Sequence, residues 1–264
     1  MRMSRVMAAL TAVMLGSLPV GRLYAADTDT DPLASGPKAL VITSSVAPAQ
    51  RPQLRKIIAT AGVRQFQRWR AEGVLDSYQL FFNRNVETDG WDLITLVTFA
   101  RYADVVRWNE LEKTHPAGLP IEAARLLRTV HTSPVDLVRN GSVPKTGHGK
   151  PVFALIPYTY NPDTPVYVSY LDTYVIPQVK GWQQEGVLAS YSIYIARYQT
   201  DRPWNALFVL EYDDEESLGR RDPVMAKVRA RLRESNPEWK TASEHKQDIR
   251  HEHAIVLTEE ILPE

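Results

Sequence analysis

A ten-residue phrase occurs twice in this chain, and the repeat constrains the fold more than any local pattern does. Trp69-Arg70-Ala71-Glu72-Gly73-Val74-Leu75-Asp76-Ser77-Tyr78 returns, 113 positions later, as Trp182-Gln183-Gln184-Glu185-Gly186-Val187-Leu188-Ala189-Ser190-Tyr191. The same shift carries Arg84 onto Arg197 and Trp91 onto Trp204. Trp, Glu, Gly, Val, Leu, Ser, Tyr, Arg and Trp thus recur in one register and mark an internal repeat. A repeat of about 113 residues is long enough for each copy to be a folded unit with its own hydrophobic face.

Each copy reads in the same order. A short β-rich run (39–45; 152–158) precedes an amphipathic helix (52–72; 166–185). In the first copy Leu54, Ile57, Ile58, Ala61, Phe66 and Trp69 mark the apolar face of that helix. Gly73 and Gly186 stand where a helix C-terminus favours glycine. Two strands follow (74–84 and 91–100; 187–197 and 204–212), then a second helical region (102–114; 214–234). Asp222-Pro223 should interrupt that region, because proline disfavours helical geometry in the residue before it. A last strand closes each copy (128–138; 248–258). The order β-α-β-β-α-β is the ferredoxin-like unit. The halves are therefore expected at 38–140 and 152–264, with 141–151 as a linker rich in turn residues.

The segment 1–26 contains no acidic group, opens with Arg2 and Arg5, runs apolar from Val6 to Leu18, and ends on small residues at Ala25-Ala26. That is the layout of a cleaved secretory signal peptide, followed by a polar lead at 27–37. The apolar run is shorter than the roughly 20 residues that span a bilayer. A periplasmic or secreted protein with no membrane span after cleavage is expected. Removing Arg2, Arg5 and Arg22 leaves 28 basic against 31 acidic residues, a net charge of −3. A nucleic-acid partner would call for a basic excess. The chain has no cysteine, so disulfides, thiol catalysis and thiolate metal sites are excluded.

Two phrases carry a resemblance to a known family. One is Glu-Gly-Val-Leu-x-Ser-Tyr after a long helix. The other is the strand Trp204-x-x-Leu207-x-Val209-Leu210-Glu211-Tyr212-x-Asp214. Over 38–260 the chain resembles the dimeric α+β barrel superfamily, in a form with both halves fused in one polypeptide. The resemblance implies two ferredoxin-like repeats packed sheet to sheet around a shared lumen. It also implies a wide range of activities, from cofactor-free monooxygenases and cyclases to haem enzymes, so it bounds function weakly. The haem-using branches take an iron ligand from a helical histidine. Here His115 adjoins Pro116 at a helix end, and no haem signature accompanies it.

Strand parity points to a candidate site. Ser77, Gln79, Phe81 and Asn83 share one face, and Tyr78, Leu80, Phe82 and Arg84 the other. In the second copy Ser190, Ser192, Tyr194 and Ala196 oppose Tyr191, Ile193, Ile195 and Arg197. The apolar face should meet the helices, leaving Ser77, Gln79, Asn83, Ser190, Ser192 and Tyr194 toward the lumen. Such a lining suits either a ligand cavity or a hydrogen-bonded interior. His251 and His253, two apart on a strand, are expected near the same space, with His131 brought in by the repeat. No carboxylate completes a metal set, and none is expected. Glu211 is either a strand-end carboxylate, solvated or paired with Arg197, or a general base. Arg84 and Arg197 read as structural ion pairs, and the four repeated tryptophans as core. The basic stretch Arg220, Arg221, Lys227, Arg229, Arg231 and Arg233 reads as a solvated helix.

The expectation is an exported barrel protein that binds a small, partly apolar molecule without a cofactor, with a homo-oligomer possible. An enzyme of the cofactor-independent monooxygenase or cyclase type, and a non-catalytic interaction protein, are the alternatives.

Overall fold

The computed structural model describes residues 38–262 apart from 89, 146–148 and 201. The expected signal peptide and polar lead lie outside the described residues. Among the described residues, no helix is long and apolar enough to cross a membrane.

The first half runs β1 (Ala39–Val46), α1 (51–71), β2 (Ser77–Asn83), β3 (Leu93–Thr98), α2 (Tyr102–Glu112), a short α3 (Ile121–Ala124) and β4 (Leu127–Ser142). The second runs β5 (Val152–Tyr160), α4 (164–184), β6 (Leu188–Ala196), β7 (Ala206–Tyr212), α5 (Glu215–Gly219), α6 (Arg221–Ser235), α7 (Pro237–Glu244), α8 (Lys246–Ile249), β8 (Arg250–Glu252) and β9 (Val256–Glu260). Both long helices end in the same way. Gly73 and Gly186 sit at φ 66° and 69°, in the left-handed region that glycine enters without a Cβ penalty. Val74 N–H then donates back to Trp69 C=O and Val187 N–H to Trp182 C=O, closing a Schellman cap on each helix.

The repeat extends to a detail the sequence does not advertise. Each long helix contains one π-turn, at Ile58–Gly62 in α1 and Leu171–Val175 in α4, in the same register as the repeated phrase. Within each, a threonine hydroxyl donates to the carbonyl four residues back, Thr60 to Lys56 and Thr173 to Ser169. A hydroxyl bonded to that carbonyl competes with the helix's own N–H and bends the ladder.

Every strand pairing is antiparallel. The first half forms the order β4-β1-β3-β2 and the second β9-β5-β7-β6. Two seams join them: β4 to β6, and β2 to β9. The result is a closed eight-stranded barrel, with β8 as an extension beside β5.

Three apolar clusters follow from strand alternation. One lies under the first half's helices and includes Leu54, Phe66, Trp69, Leu80, Phe82 and Trp108. A second lies under the other half's helices, around Tyr167, Leu171, Trp182, Tyr191, Ile193 and Trp239. The third fills the barrel, with Val41, Phe81, Ile94, Leu96, Phe153, Leu155, Leu207 and Val209. Trp69, Trp182 and Trp204 are buried, and half-buried Trp91 meets Trp204 with ring centroids 6.3 Å apart. Arg84 pairs with Glu215, and Arg197 with Asp136 at 2.7 Å, so both repeated arginines are structural.

Several expectations need correction. The last strand, expected unbroken over 248–258, begins as helix α8 and is interrupted between β8 and β9. Helix α7, held by Asn236 accepting from Trp239 N–H, was not expected; its Trp239 indole donates to Tyr174 C=O. Helical region 214–234 is split at Arg220, and Pro223 lies in the first turn of α6 where its missing N–H costs nothing. Gly141 and Ser142, counted with the linker, continue β4.

Candidate functional site at one mouth of the barrel

Parity holds for the inward face: Phe81, Tyr194 and Ala196 belong to the cluster inside the barrel, and Tyr78, Leu80, Tyr191 and Ile193 to the helix layers. The middle of the lumen, however, is packed with apolar side chains, and the Phe81 and Phe153 rings lie 4.9 Å apart. The polar candidates are therefore divided between the two ends of the barrel.

Five of them gather at one mouth. Ser77 lies across from Thr98, and their hydroxyls are 2.6 Å apart. Gln79, two positions further along the same face, bonds the Glu260 carboxyl. Ser190 donates to Glu211 at 2.6 Å, and Lys145 pairs with the other oxygen of Glu211 at 2.5 Å. Ser192 bonds the Tyr194 hydroxyl. Beside them opens a cavity of about 290 Å³, lined by Lys38, Ala39, Thr98, Phe99, Val135, Asp136, Leu137 and Tyr194. Its wall is mostly apolar, and Lys38, Thr98, Asp136 and Tyr194 are its polar residues. Burial pushes the Tyr194 phenol up, so it stays a neutral hydrogen-bonding group. Burial, and then the nearby Glu211 charge, raise the Glu260 carboxyl; Lys145 and Gln79 oppose that shift. The mouth thus holds two carboxylates, Glu260 with its raised pKa and Glu211 tied to a lysine.

Asn83, His253 and His251 belong to the far end. Asn83 is a turn organiser: its amide donates to Trp91 C=O and its oxygen accepts from Asn85 N–H, both at 2.9 Å. Inside the same turn, Asp92 accepts from Val46 N–H and pairs with buried Arg51, and in the second half Asn205 accepts from Tyr160 N–H. The His253 ring lies 2.6 Å from the Thr159 hydroxyl, and burial with the neighbouring His251 pulls its pKa down. It helps line a shallow cavity of about 180 Å³ with Trp91, Trp204, Pro157 and Val256. His251 is exposed. The break at 253–255 inserts a parity switch: Val256 faces the barrel interior, while Ile255 and Leu257 face the helices. Simple alternation placed the two histidines with Ile255 and Leu257, and that grouping fails. His131 is exposed on β4 and does not join them. Among the described residues no group of three or more His, Asp or Glu side chains could hold a metal ion. His115 packs edge-on against Trp69 in the helix layer, outside the barrel.

Sequence reasoning missed Glu260, Thr98 and Lys145. Glu260 and Thr98 share the inward parity of their strands and could have been found by extending the alternation to β9 and β3. Lys145 lies in the turn-rich connection, where nothing in the pattern forecasts its direction.

No family model matches the chain, and no curated protein matches it. Solved structures do. A candidate monooxygenase from Lactobacillus acidophilus is similar over 86% of this chain and 95% of its own, at 9% identity and a TM-score of 0.53. An anthrone oxidase-like protein is similar over 86% and 91%, at 10% identity and 0.52. A candidate monooxygenase from Fusobacterium nucleatum is similar over 86% and 94%, at 12% identity and 0.52. Likeness at these identities establishes the fold alone: this chain has the dimeric α+β barrel fold, built from two βαββαβ units.

Proposed function

We propose that this protein is exported and binds a small, partly apolar molecule at the barrel mouth beside Tyr194. The observation that carries the reading is the cavity of about 290 Å³, whose apolar wall of Ala39, Phe99, Val135 and Leu137 is shared with the polar residues Tyr194 and Thr98. Such a mixture of apolar area with a few placed polar groups is the ordinary make-up of a small-molecule site. The fusion of both halves by duplication belongs to the same proposal. It rests on the shared register of sequence, caps and π-turns. Because the barrel closes within one chain, a second copy is not needed to complete the site.

Native mass spectrometry of protein isolated from its own cell envelope tests the proposal. The expected spectrum shows a polypeptide beginning near residue 26 or 27 with an added small mass. In titrations with that ligand, Tyr194→Phe or Gln79→Leu should weaken binding by about 1 kcal/mol per lost hydrogen bond, with the fold intact. A chain that retains Met1 ends the export reading, and unchanged affinity in both variants ends the site.

A second reading is favoured by the Glu260 carboxylate, made more basic than usual at the same end of the barrel. There it could take a proton from an acidic C–H or phenol of the bound molecule, the step a cofactor-independent oxygenase requires before oxygen adds. The solved structures described as monooxygenases and anthrone oxidase-like point the same way. Oxygen uptake with an anthrone, abolished in Glu260→Gln, would support it; equal uptake by both proteins would remove Glu260 from the chemistry.

A further inference from the structure

A concentration of uncompensated positive charge lies outside the barrel, on the helix side of β5. The aromatic residues Tyr160, Tyr167, Tyr170, Tyr174 and Trp239 form a continuous ladder, with successive centroids 4.0, 6.0, 5.2 and 5.3 Å apart. Against it the Arg250 guanidinium lies 4.1 Å from the Tyr158 ring centroid, 5.2 Å from that of Phe208, and 5.7 Å from those of Tyr170 and Tyr174. Among the described residues no carboxylate pairs with Arg250. Its polar neighbours are the neutral hydroxyls of Tyr167 and Tyr170, and its Nη1 is buried without a hydrogen-bond partner. Ring faces offset part of the cost of burying this cation, but they cannot satisfy a planar fork of N–H donors. A buried guanidinium is ordinarily matched by an oxyanion that accepts two parallel hydrogen bonds.

The space in front of Arg250 has the same sign. A cavity of about 440 Å³ is lined by Tyr158, Tyr174, Arg229, Lys246, Gln247, Arg250, His251 and Glu252. It holds three permanent cations, from α6, α8 and β8, against the single carboxylate Glu252. That carboxylate is already engaged, accepting from the Tyr158 hydroxyl at 2.7 Å. Arg229 donates through Nε to Gln178 at 2.9 Å and has no acidic partner among the described residues. Lys246 likewise forms no ion pair among them. Three cations converging on one pocket repel each other unless an anion joins them.

We propose that this pocket is a binding site for a small oxyanion: a carboxylate, phosphate or sulfate group held by Arg250, Arg229 and Lys246, with the Tyr158 and Tyr174 rings flanking any flat body attached to it. The site is independent of the barrel mouth, because Tyr158 and Arg250 face the helix layer and Tyr194 faces the barrel interior.

The test is titration calorimetry and thermal unfolding of the full chain with sodium phosphate, sodium sulfate or sodium benzoate, at constant ionic strength made up with chloride. At least one of the three should bind saturably and raise the melting temperature. Response to benzoate alone assigns a carboxylate with a planar body, and response to phosphate or sulfate assigns a tetrahedral group. Lys246→Ala and Arg229→Gln should each weaken binding by about tenfold, the loss of one charge-assisted contact, while Tyr194→Phe should not affect it. Arg250→Met should abolish the anion-dependent shift and leave the anion-free protein at least as stable, because a buried unpaired cation gives way to an apolar chain of similar shape. The proposal is overturned if none of the three anions binds saturably, or if Lys246→Ala and Arg229→Gln both bind as wild type does. Either result would leave Arg250 as a packing residue held by ring faces alone.

Discussion

At the scale of single residues, the molecule separates groups that hold the fold from groups that strain it. Asp92 and Asn205 occupy equivalent places in the repeat and tie the ends of β1 and β5 through backbone N–H groups, so they are structural. Glu260 is different, because burial and the Glu211 charge raise its pKa in the folded protein. A carboxyl raised in this way favours the folded state when it is protonated. Its contribution is fully present below the unfolded pKa near 4.5 and is lost as pH rises through the higher folded value. Glu260→Gln should therefore stabilise the protein at neutral pH, and the difference from wild type should shrink as pH falls through the raised folded value and be gone below about 4.5. Denaturant midpoints measured from pH 4 to 8 would show this. A variant less stable than wild type at pH 7 would mean that the carboxylate is held by more than Gln79 and Lys145.

At the scale of elements, the caps and turns of the two long helices are repeated with their spacing intact. Gly73 and Gly186 hold positive φ with no heavy atom within 4 Å of where a Cβ would stand. Replacement by alanine therefore tests backbone strain and not crowding. Each substitution should cost about 1 kcal/mol in chemical denaturation, and the double variant about twice that, since the sites belong to different halves. No loss in either variant would show that the helix ends relax freely. The glycines were legible in sequence because αL caps have a compositional signature. So was the inward face of β2 and β6, because alternation has a fixed period. The π-turns were not legible: only the threonine pair is shared, and a threonine inside a helix has many roles. The broken strand at 253–255 was hidden for a related reason. One irregular residue reverses all later parity, and the sequence there reads smoothly through it. The aromatic ladder had a visible trace in Tyr167, Tyr170 and Tyr174, spaced three and four apart on one helix face. Its partner Arg250 did not, since it comes from a strand near the other end of the second half, beyond four intervening helices and two strands.

At the scale of the whole molecule, the halves are separate in sequence and joined in structure. They share the inner apolar cluster, which draws Val41, Phe81 and Ile94 from one and Phe153, Leu155 and Val209 from the other. The seams β4–β6 and β2–β9 join them on both sides. Neither half can keep its inner face dry alone, so the two should unfold together. Calorimetry should show one transition with equal calorimetric and van't Hoff enthalpies, whereas two resolved transitions would mean that the barrel interior contributes little. The fold class was legible at this scale because a repeated βαββαβ order has few ways to cover its sheets. The filled lumen was not, because parity tells which side chains point inward and not how far they reach. The seam between Phe81 and Glu260 also sets a schedule for the growing chain. The edge of β2 stays bare until β9, the last strand among the described residues, arrives to cover it. Such a barrel is shut from its far end, so a chain that emerges start-first keeps the first half's sheet open until the second half has followed it.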